Sequence, residues 1–194
     1  DHGTVTLVQD GIPFEVTTFR RDVATDGRRA TVAFADNITD DARRRDFTMN
    51  ALYAAPDGQI SDPLGGLPDL HARRIRFIED ADQRIKEDYL RILRFFRFYA
   101  WYGKTDDGPD REGLAACAEN VEGLQSLSLE RVTSEMLKLL SAPDPAPAIA
   151  AMASSTPELR SSLSMMLEKE CSPSSALLKN GSNAKSTLIY SFLD

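Results

Sequence analysis

Two short stretches near the start, TVTLVQ (4–9) and FEVTTF (14–19), are rich in β-branched and aromatic residues. The turn-forming run Asp10-Gly11-Ile12-Pro13 between them predicts a β-hairpin. From Asp40 to Ala54 the pattern turns helical, with Phe47, Asn50, Ala51 and Ala54 on one side. Asp57-Gly58 returns the chain to a short strand, QISD, and then to the turn-rich DPLGGLPDL (62–70). Residues 73–78 (RRIRFI) read as a further strand. Beyond Asp82 the chain is helical over 84–102, 111–120 and 128–141, the last with Ser126 or Ser128 as candidate cap. Pro143, Pro145 and Pro147 mark a joint before a last helical region, and SPSSALLKNGSNAKS (172–186) is polar and loosely patterned.

One helical stretch departs from simple amphipathicity. In EDYLRILRFFRF (87–98), Asp88, Arg91, Arg94 and Arg97 recur every three residues among Leu90, Leu93, Phe95, Phe96 and Phe98. A helix that needed only a wet face would scatter its charges; here they form a stripe beside core residues.

Composition narrows the class. The chain has 194 residues, 42% of them apolar, enough for one large domain or two small ones. Two cysteines, Cys117 and Cys171, and two histidines, His2 and His71, give neither a disulfide framework nor a zinc pattern. A reduced, cytoplasmic setting fits. No apolar run has the length of a membrane span, and DHGTVTLV is not a signal peptide. The net charge of −7 argues against coating nucleic acid by bulk electrostatics. Residues 41–104 are the exception, with 12 Lys and Arg against 10 Asp and Glu, so polyphosphate or RNA contacts are expected there.

Three constellations carry candidate chemistry, each beside a structural reading. RRRDFTMNALY (43–53) is either a basic helix start that packs Phe47, Met49, Leu52 and Tyr53 inward, or a nucleotide contact. In the second case Arg45 offers a planar fork to phosphate oxygens, while Asp46 and Asn50 hydrogen-bond sugar hydroxyls. DPLGGLPDL reads as structural: Gly65 and Gly66 allow a tight turn, Asp62 or Asp69 caps backbone donors, and the segment holds the sheet against the following helices. The third is Asp88 with Arg91, at i and i+3 on one helix. Cytosine and adenine share an exocyclic amino donor beside an unprotonated ring nitrogen, whereas guanine and uracil reverse it. A carboxylate that only accepts, beside a guanidinium that only donates, matches the first two bases. The structural reading is a surface ion pair, Arg84 with Asp88 or Glu87 with Arg91. Asp80-Ala81-Asp82 has the D-x-D form of a metal site and is read as a loop feature.

In order along residues 2–140, the motifs HGTVT, FEVTTFR, RRDFTMNA, DPLGGLPDL, EDYLRILRFFRF and SLERVTSEMLKLL resemble the class II tRNA nucleotidyltransferase (CCA-adding) and bacterial poly(A) polymerase family. The resemblance implies an α+β fold: a partial polymerase-β-like nucleotidyltransferase head, a mixed sheet with helices, over 1–78, a helical neck over 79–141 and a helical body fragment over 142–194. It implies untemplated transfer of CMP and AMP from CTP and ATP to a tRNA 3′ end, with release of pyrophosphate. Carried over by position, Arg45 meets the nucleotide phosphates, Asp46 the ribose, Asp88 and Arg91 the base, and Arg94 and Arg97 complete the site. Magnesium is the implied cofactor, and neither DNA nor membrane is an expected partner. The family sets its GG-x-VRD loop and metal-binding D-x-D before the HGTVT strand. The catalytic aspartates are therefore expected upstream of Asp1, the 194 residues alone are expected to be inactive, and Asp80 and Asp82 fall too late to be that pair. Glu15 is at most a supporting carboxylate. A poly(A) polymerase and a non-catalytic RNA-binding fragment are the alternatives.

Overall fold

Asp10 and Gly11 both adopt positive φ, 52° and 78°, the backbone of a two-residue hairpin turn. The computed structural model describes residues 4–25 and 30–155; His2, Cys171 and the polar stretch 172–186 lie outside them. The tight turn pairs Gln9 with Ile12, so strands β1 (Thr4–Gln9) and β2 (Ile12–Thr17) meet two residues earlier than the four-residue turn expected from the sequence. Val5, Leu7, Ile12, Phe14 and Val16 are all exposed along this hairpin. A second antiparallel pair, β3 (Arg20–Thr25) with β4 (Ala30–Phe34), leads into α1 (Ile38–Arg43).

The helix expected over 40–54 stops at Arg43 because tertiary pairing overrides the local pattern. Phe47 is withdrawn into the core, 4.9 Å from the ring centroids of Phe77 and of Phe98. Around it the backbone pairs with the expected strand at 73–78: Thr48 N–H donates to Arg76 O at 3.0 Å and Ile78 N–H to Asp46 O at 3.0 Å. That isolated bridge is all the strand character 73–78 shows. Residues Thr48–Asn50 form one 3-10 turn, and Tyr53–Ala54 (β5) pairs with Ile60–Ser61 (β6) across a turn in which Gly58 has φ 87°. DPLGGLPDL contains a helix missed in the sequence, α2 (Leu67–Ala72), with Pro68 in its first turn and Arg73 left-handed at its end.

The stretch 84–102 is two helices. Asp80 caps α3 (Ala81–Glu87) by accepting from Gln83 N–H at 2.8 Å. Asp88 is extended (φ −157°, ψ 104°), and its Oδ1 accepts from Leu90 N–H at 3.1 Å at the start of α4 (Leu90–Tyr102). An aspartate favours this capping role over a helix interior, which breaks the periodic run. Helix α4 is the axis of the core: Leu90, Ile92, Leu93, Phe95, Phe96, Phe98 and Tyr99 are buried, each contributing about 1.5–3 kcal/mol. Around it pack α5 (Arg111–Glu119), α6 (Leu129–Leu140) and α7 (Ala146–Ser155), which add Cys117, Met136, Leu139, Ala148 and Met152, while the 3-10 segment Val121–Ser126 adds Leu124. Ser128 precedes α6 without a side-chain capping bond, and Ser126 instead donates to Gly123 O at 2.7 Å. Helix α6 follows α4 in the same direction, for Arg131, Glu135 and Lys138 meet Asp88, Arg97 and Trp101 in turn.

Candidate nucleotide-binding site

The break after α1 places Arg43–Asp46 across the first turns of α4, and three arginine contacts hold it there. Arg94 donates through Nε to Asp46 Oδ2 at 2.6 Å. Asp46 is 4% exposed, and its other oxygen accepts from Phe47 N–H at 3.0 Å and Asn50 Nδ2 at 2.9 Å. Arg91 donates to Arg44 O at 3.1 Å, and Arg84 to Arg43 O at 2.7 Å. Glu87 lies between these two arginines, accepting from Arg91 Nη1 at 2.6 Å and pairing with Arg84. The i to i+4 pair Glu87–Arg91 forms as the structural reading anticipated, while Asp88 pairs with Arg131 of α6 at 2.7 Å.

The expectation of Asp88 and Arg91 on one helix is corrected by this geometry. Asp88 precedes α4 and faces α6; Arg91 lies inside α4 and faces the Arg44 backbone. Arg97 is farther along, donating to Glu135 at 2.6 Å and lying 4.6 Å over the Phe98 ring. The charged stripe is thus a set of ties from α4, each to a different element: Arg91 to α3 and the Arg44 backbone, Arg94 to Asp46, Arg97 to α6.

Arg45 is held by Asp41, from Nη2 at 3.0 Å and Nε at 3.3 Å, and by Asn50 O at 3.3 Å. Its guanidinium also lies 5.1 Å from the Tyr53 ring centroid. Burial by itself would raise the Asp41 carboxyl, but hydrogen bonds from Tyr53, Arg44 and Arg45 outweigh it and hold Asp41 below the usual aspartate range. Burial, and donation to Asp41, push the Tyr53 hydroxyl up.

DPLGGLPDL buttresses this segment, and its Leu64 joins the small apolar cluster that Tyr53 of β5 also packs against. Asp62 accepts from Gly66 N–H at 2.7 Å and Leu67 N–H at 2.9 Å, so it is the capping residue. Asp69 receives the Thr48 hydroxyl at 2.6 Å and Arg76 Nε at 2.9 Å. Gly66 lies so close that a Cβ would stand 2.1 Å from Thr48 O.

Sequence reasoning assigned no role to Asp41, Arg44 or Arg131. The spacing of Asp41 from Arg44 and Arg45 at i+3 and i+4 was a signal for the first two; the pairing of Arg131 with Asp88, 43 residues apart, had none.

The sequence resemblance implies a divalent metal. The described residues do not fit one: no group of three or more His, Cys, Asp or Glu side chains among them could hold a metal. Asp80 is occupied as a helix cap, and Asp82 pairs with Lys86 at 2.6 Å and accepts from Asn120 at 2.8 Å. Glu15 is exposed on β2 opposite Thr6.

Residues 1–76 match the family described as the Poly A polymerase head domain, and residues 109–156 the one described as the probable RNA and SrmB-binding site of polymerase A. The chain is 48% identical over 142 residues to the mouse mitochondrial CCA tRNA nucleotidyltransferase 1, covering 72% of this chain and 32% of that protein. It is 40% identical over 154 residues to a CCA-adding enzyme of Geobacillus thermodenitrificans, covering 78% and 37%. The fold superposes on the Bacillus stearothermophilus CCA-adding enzyme in complex with CTP with a TM-score of 0.73 and 31% identity, covering 99% of this chain and 47% of that one. The chain thus spans about a third of the length of the curated relatives it matches. With both family segments, these identities and this fold in one polypeptide, the chain belongs to the poly(A) polymerase and CCA-adding tRNA nucleotidyltransferase family.

Proposed function

We propose that these residues supply the nucleotide-selecting part of an enzyme that adds CMP and AMP from CTP and ATP to a tRNA 3′ end without a template, releasing pyrophosphate. The observation that carries this reading is the Arg94–Asp46 contact, which joins the RRDFT segment to the α4 stripe. It brings the phosphate- and sugar-directed residues Arg45 and Asp46 beside the base-directed region of the neck. In this reading residues 1–78 are head, 79–141 neck and 142–194 body fragment.

The chemistry of this chain's own residues is binding and selection. Arg45 neutralises phosphate charge, and Asp46, fixed by Arg94, Phe47 N–H and Asn50, accepts from a ribose hydroxyl. Asp88 Oδ1 and Oδ2 each accept one hydrogen bond within the protein and keep a lone pair for an amino group. Arg91 spends its terminal nitrogens on Arg84 O, Glu87 and Arg44 O, and among the described residues its Nε–H has no partner and is left for a ring nitrogen. A base with an amino donor next to a bare ring nitrogen satisfies both; guanine and uracil place acceptor against acceptor and donor against donor. Arg97 acts by fixing α4 against α6 rather than by touching nucleotide. Magnesium, the metal we propose for the intact enzyme, would be held outside the described residues.

Among the described residues no helix is long and apolar enough to cross a membrane. The cytoplasm is the compartment we propose, where a buried free thiol such as Cys117 stays reduced.

The test is nucleotide addition by the intact enzyme to tRNA lacking its 3′ end and to homopolymer RNA. The reading predicts CMP and AMP incorporation on the tRNA. Sustained AMP addition to the homopolymer, with no CMP used, would favour a poly(A) polymerase; RNA binding without transfer of either nucleotide would leave only a binding module.

A further inference from the structure

Asp41 is 2% exposed, yet no motif assigned it a role. A buried carboxylate is costly unless fully paired, and this one divides its pairing between two adjacent arginines. Oδ1 accepts from Arg44 Nε at 2.9 Å and from Arg20 N–H at 3.1 Å. Oδ2 accepts from Arg45 Nη2 and Nε and from the Tyr53 hydroxyl at 2.8 Å, and Tyr53 in turn accepts from Arg45 Nε at 3.2 Å. Neighbouring guanidinium groups repel; one carboxylate with an oxygen toward each holds them side by side.

The two arginines are held differently. Arg45 commits Nε, Nη1 and Nη2 each to at least one bond, leaving one N–H on each terminal nitrogen. Arg44 is anchored through Nε alone: among the described residues its Nη1 and Nη2 have no hydrogen-bond partner, and its side chain is 25% exposed. One buried negative charge therefore orients two positive ones, and the excess charge is carried by free N–H groups at a partly open edge. Such an edge suits an anion with several oxygens.

Resting on the nucleotide-site reading above, we propose that Asp41 is a positioning residue that holds Arg44 and Arg45 together as a two-pronged clamp on the polyphosphate of the incoming nucleotide. The clamp reads no base, so it acts on ATP and CTP alike. Tyr53 locks its inner side, and Arg44 is the more accessible prong.

The probe is inorganic tripolyphosphate, used as a competitive inhibitor of the intact enzyme with ATP or CTP varied. Arg44→Gln, whose side chain is partly exposed and need not unfold anything, should raise the inhibition constant and the KM for both nucleotides by about 10-fold or more. Asp41→Asn should do the same, with kcat changed less than KM and the ATP-to-CTP preference kept; Asp41→Glu should recover part of the loss. An unchanged inhibition constant in Arg44→Gln, or a lowered melting temperature in Asp41→Asn with normal KM, would make Asp41 a purely structural knot between β3, α1 and β5. Wild-type enzyme that uses neither ATP nor CTP removes the nucleotide site itself. Normal wild-type use with both variants unaffected removes the clamp alone.

Discussion

Asp88 accepts from Arg131 at 2.7 Å, across 43 residues of chain, although Arg91 is three residues away. The contact fixes the carboxylate from two sides, since Leu90 N–H holds the other oxygen. Arg91 is fixed by Glu87, Arg84 O and Arg44 O. Two side chains proposed to read one base are therefore set by separate supports, one from α6 and one from α3 and the RRRD segment. Rigid supports of this kind suit a site that must discriminate bases without a template.

The supports can be disturbed from a distance. Gly66→Ala would place a methyl group 2.1 Å from Thr48 O, a contact that only backbone movement relieves. We expect a loss of about 1–3 kcal/mol in stability. Because Thr48 follows Arg45 and Asp46 so closely, KM for both nucleotides should also rise. Chemical denaturation alongside steady-state kinetics measures both; stability lost with normal KM would mean that the glycine supports only the core.

Asp80 and Asp82 carry a structural assignment that is separable from catalysis. Asp80→Ala removes the α3 cap, worth about 1 kcal/mol, and Asp82→Ala removes the tie to Asn120. Neither should change kcat of the intact enzyme more than a few-fold, and the magnesium dependence of the rate should be that of the wild type. A loss of activity restored by raised magnesium would turn this pair back into metal ligands.

Glu135 makes acid sensitivity specific. It is 4% exposed. Burial would raise its carboxyl, but hydrogen bonds from Lys138 and Arg97 prevail and hold it below the usual glutamate range. A depressed folded-state value means that the stabilisation is fully present above pH 4.5 and lost as pH falls through the lower folded value. Glu135→Gln should lower stability at neutral pH and flatten its decline below about pH 4.5. Urea melts across that range test the sign: an unchanged slope would mean that the Arg97–Glu135 tie contributes nothing.

How far the sequence could be read follows the range of the interactions. The β1–β2 hairpin, α5, α6 and the joint before α7 rest on local pattern and turn chemistry, and were legible with their ends shifted by one or two residues. The helix at 40–54 and the strand at 73–78 failed together, for one reason: Phe47 and Phe77 pair with each other inside the core and override both local patterns. Asp88 misled because a capping aspartate and a helix-face aspartate share the same spacing. RRDFT and the α4 stripe were visible as candidates, and their contact through Asp46 and Arg94 was not, being set by the packing of α4. The exposed apolar residues of the hairpin follow from nothing in the pattern, which alternates as a half-buried strand would.

The central claim is that Asp88 and Arg91 select the base, and kcat/KM of the intact enzyme for ATP, CTP, GTP and UTP tests it most directly. In Asp88→Ala, preference for ATP and CTP over GTP and UTP should fall by roughly 5-fold to 150-fold, the selectivity equivalent of about 1–3 kcal/mol for a good base-edge pair. Arg91→Ala should lower use of ATP and CTP together, and a thermal melt on each variant separates this from unfolding. Unchanged ratios among the four nucleotides in both variants, with stability altered by under about 1 kcal/mol, would contradict the account and leave Asp88 and Arg91 as ties between helices.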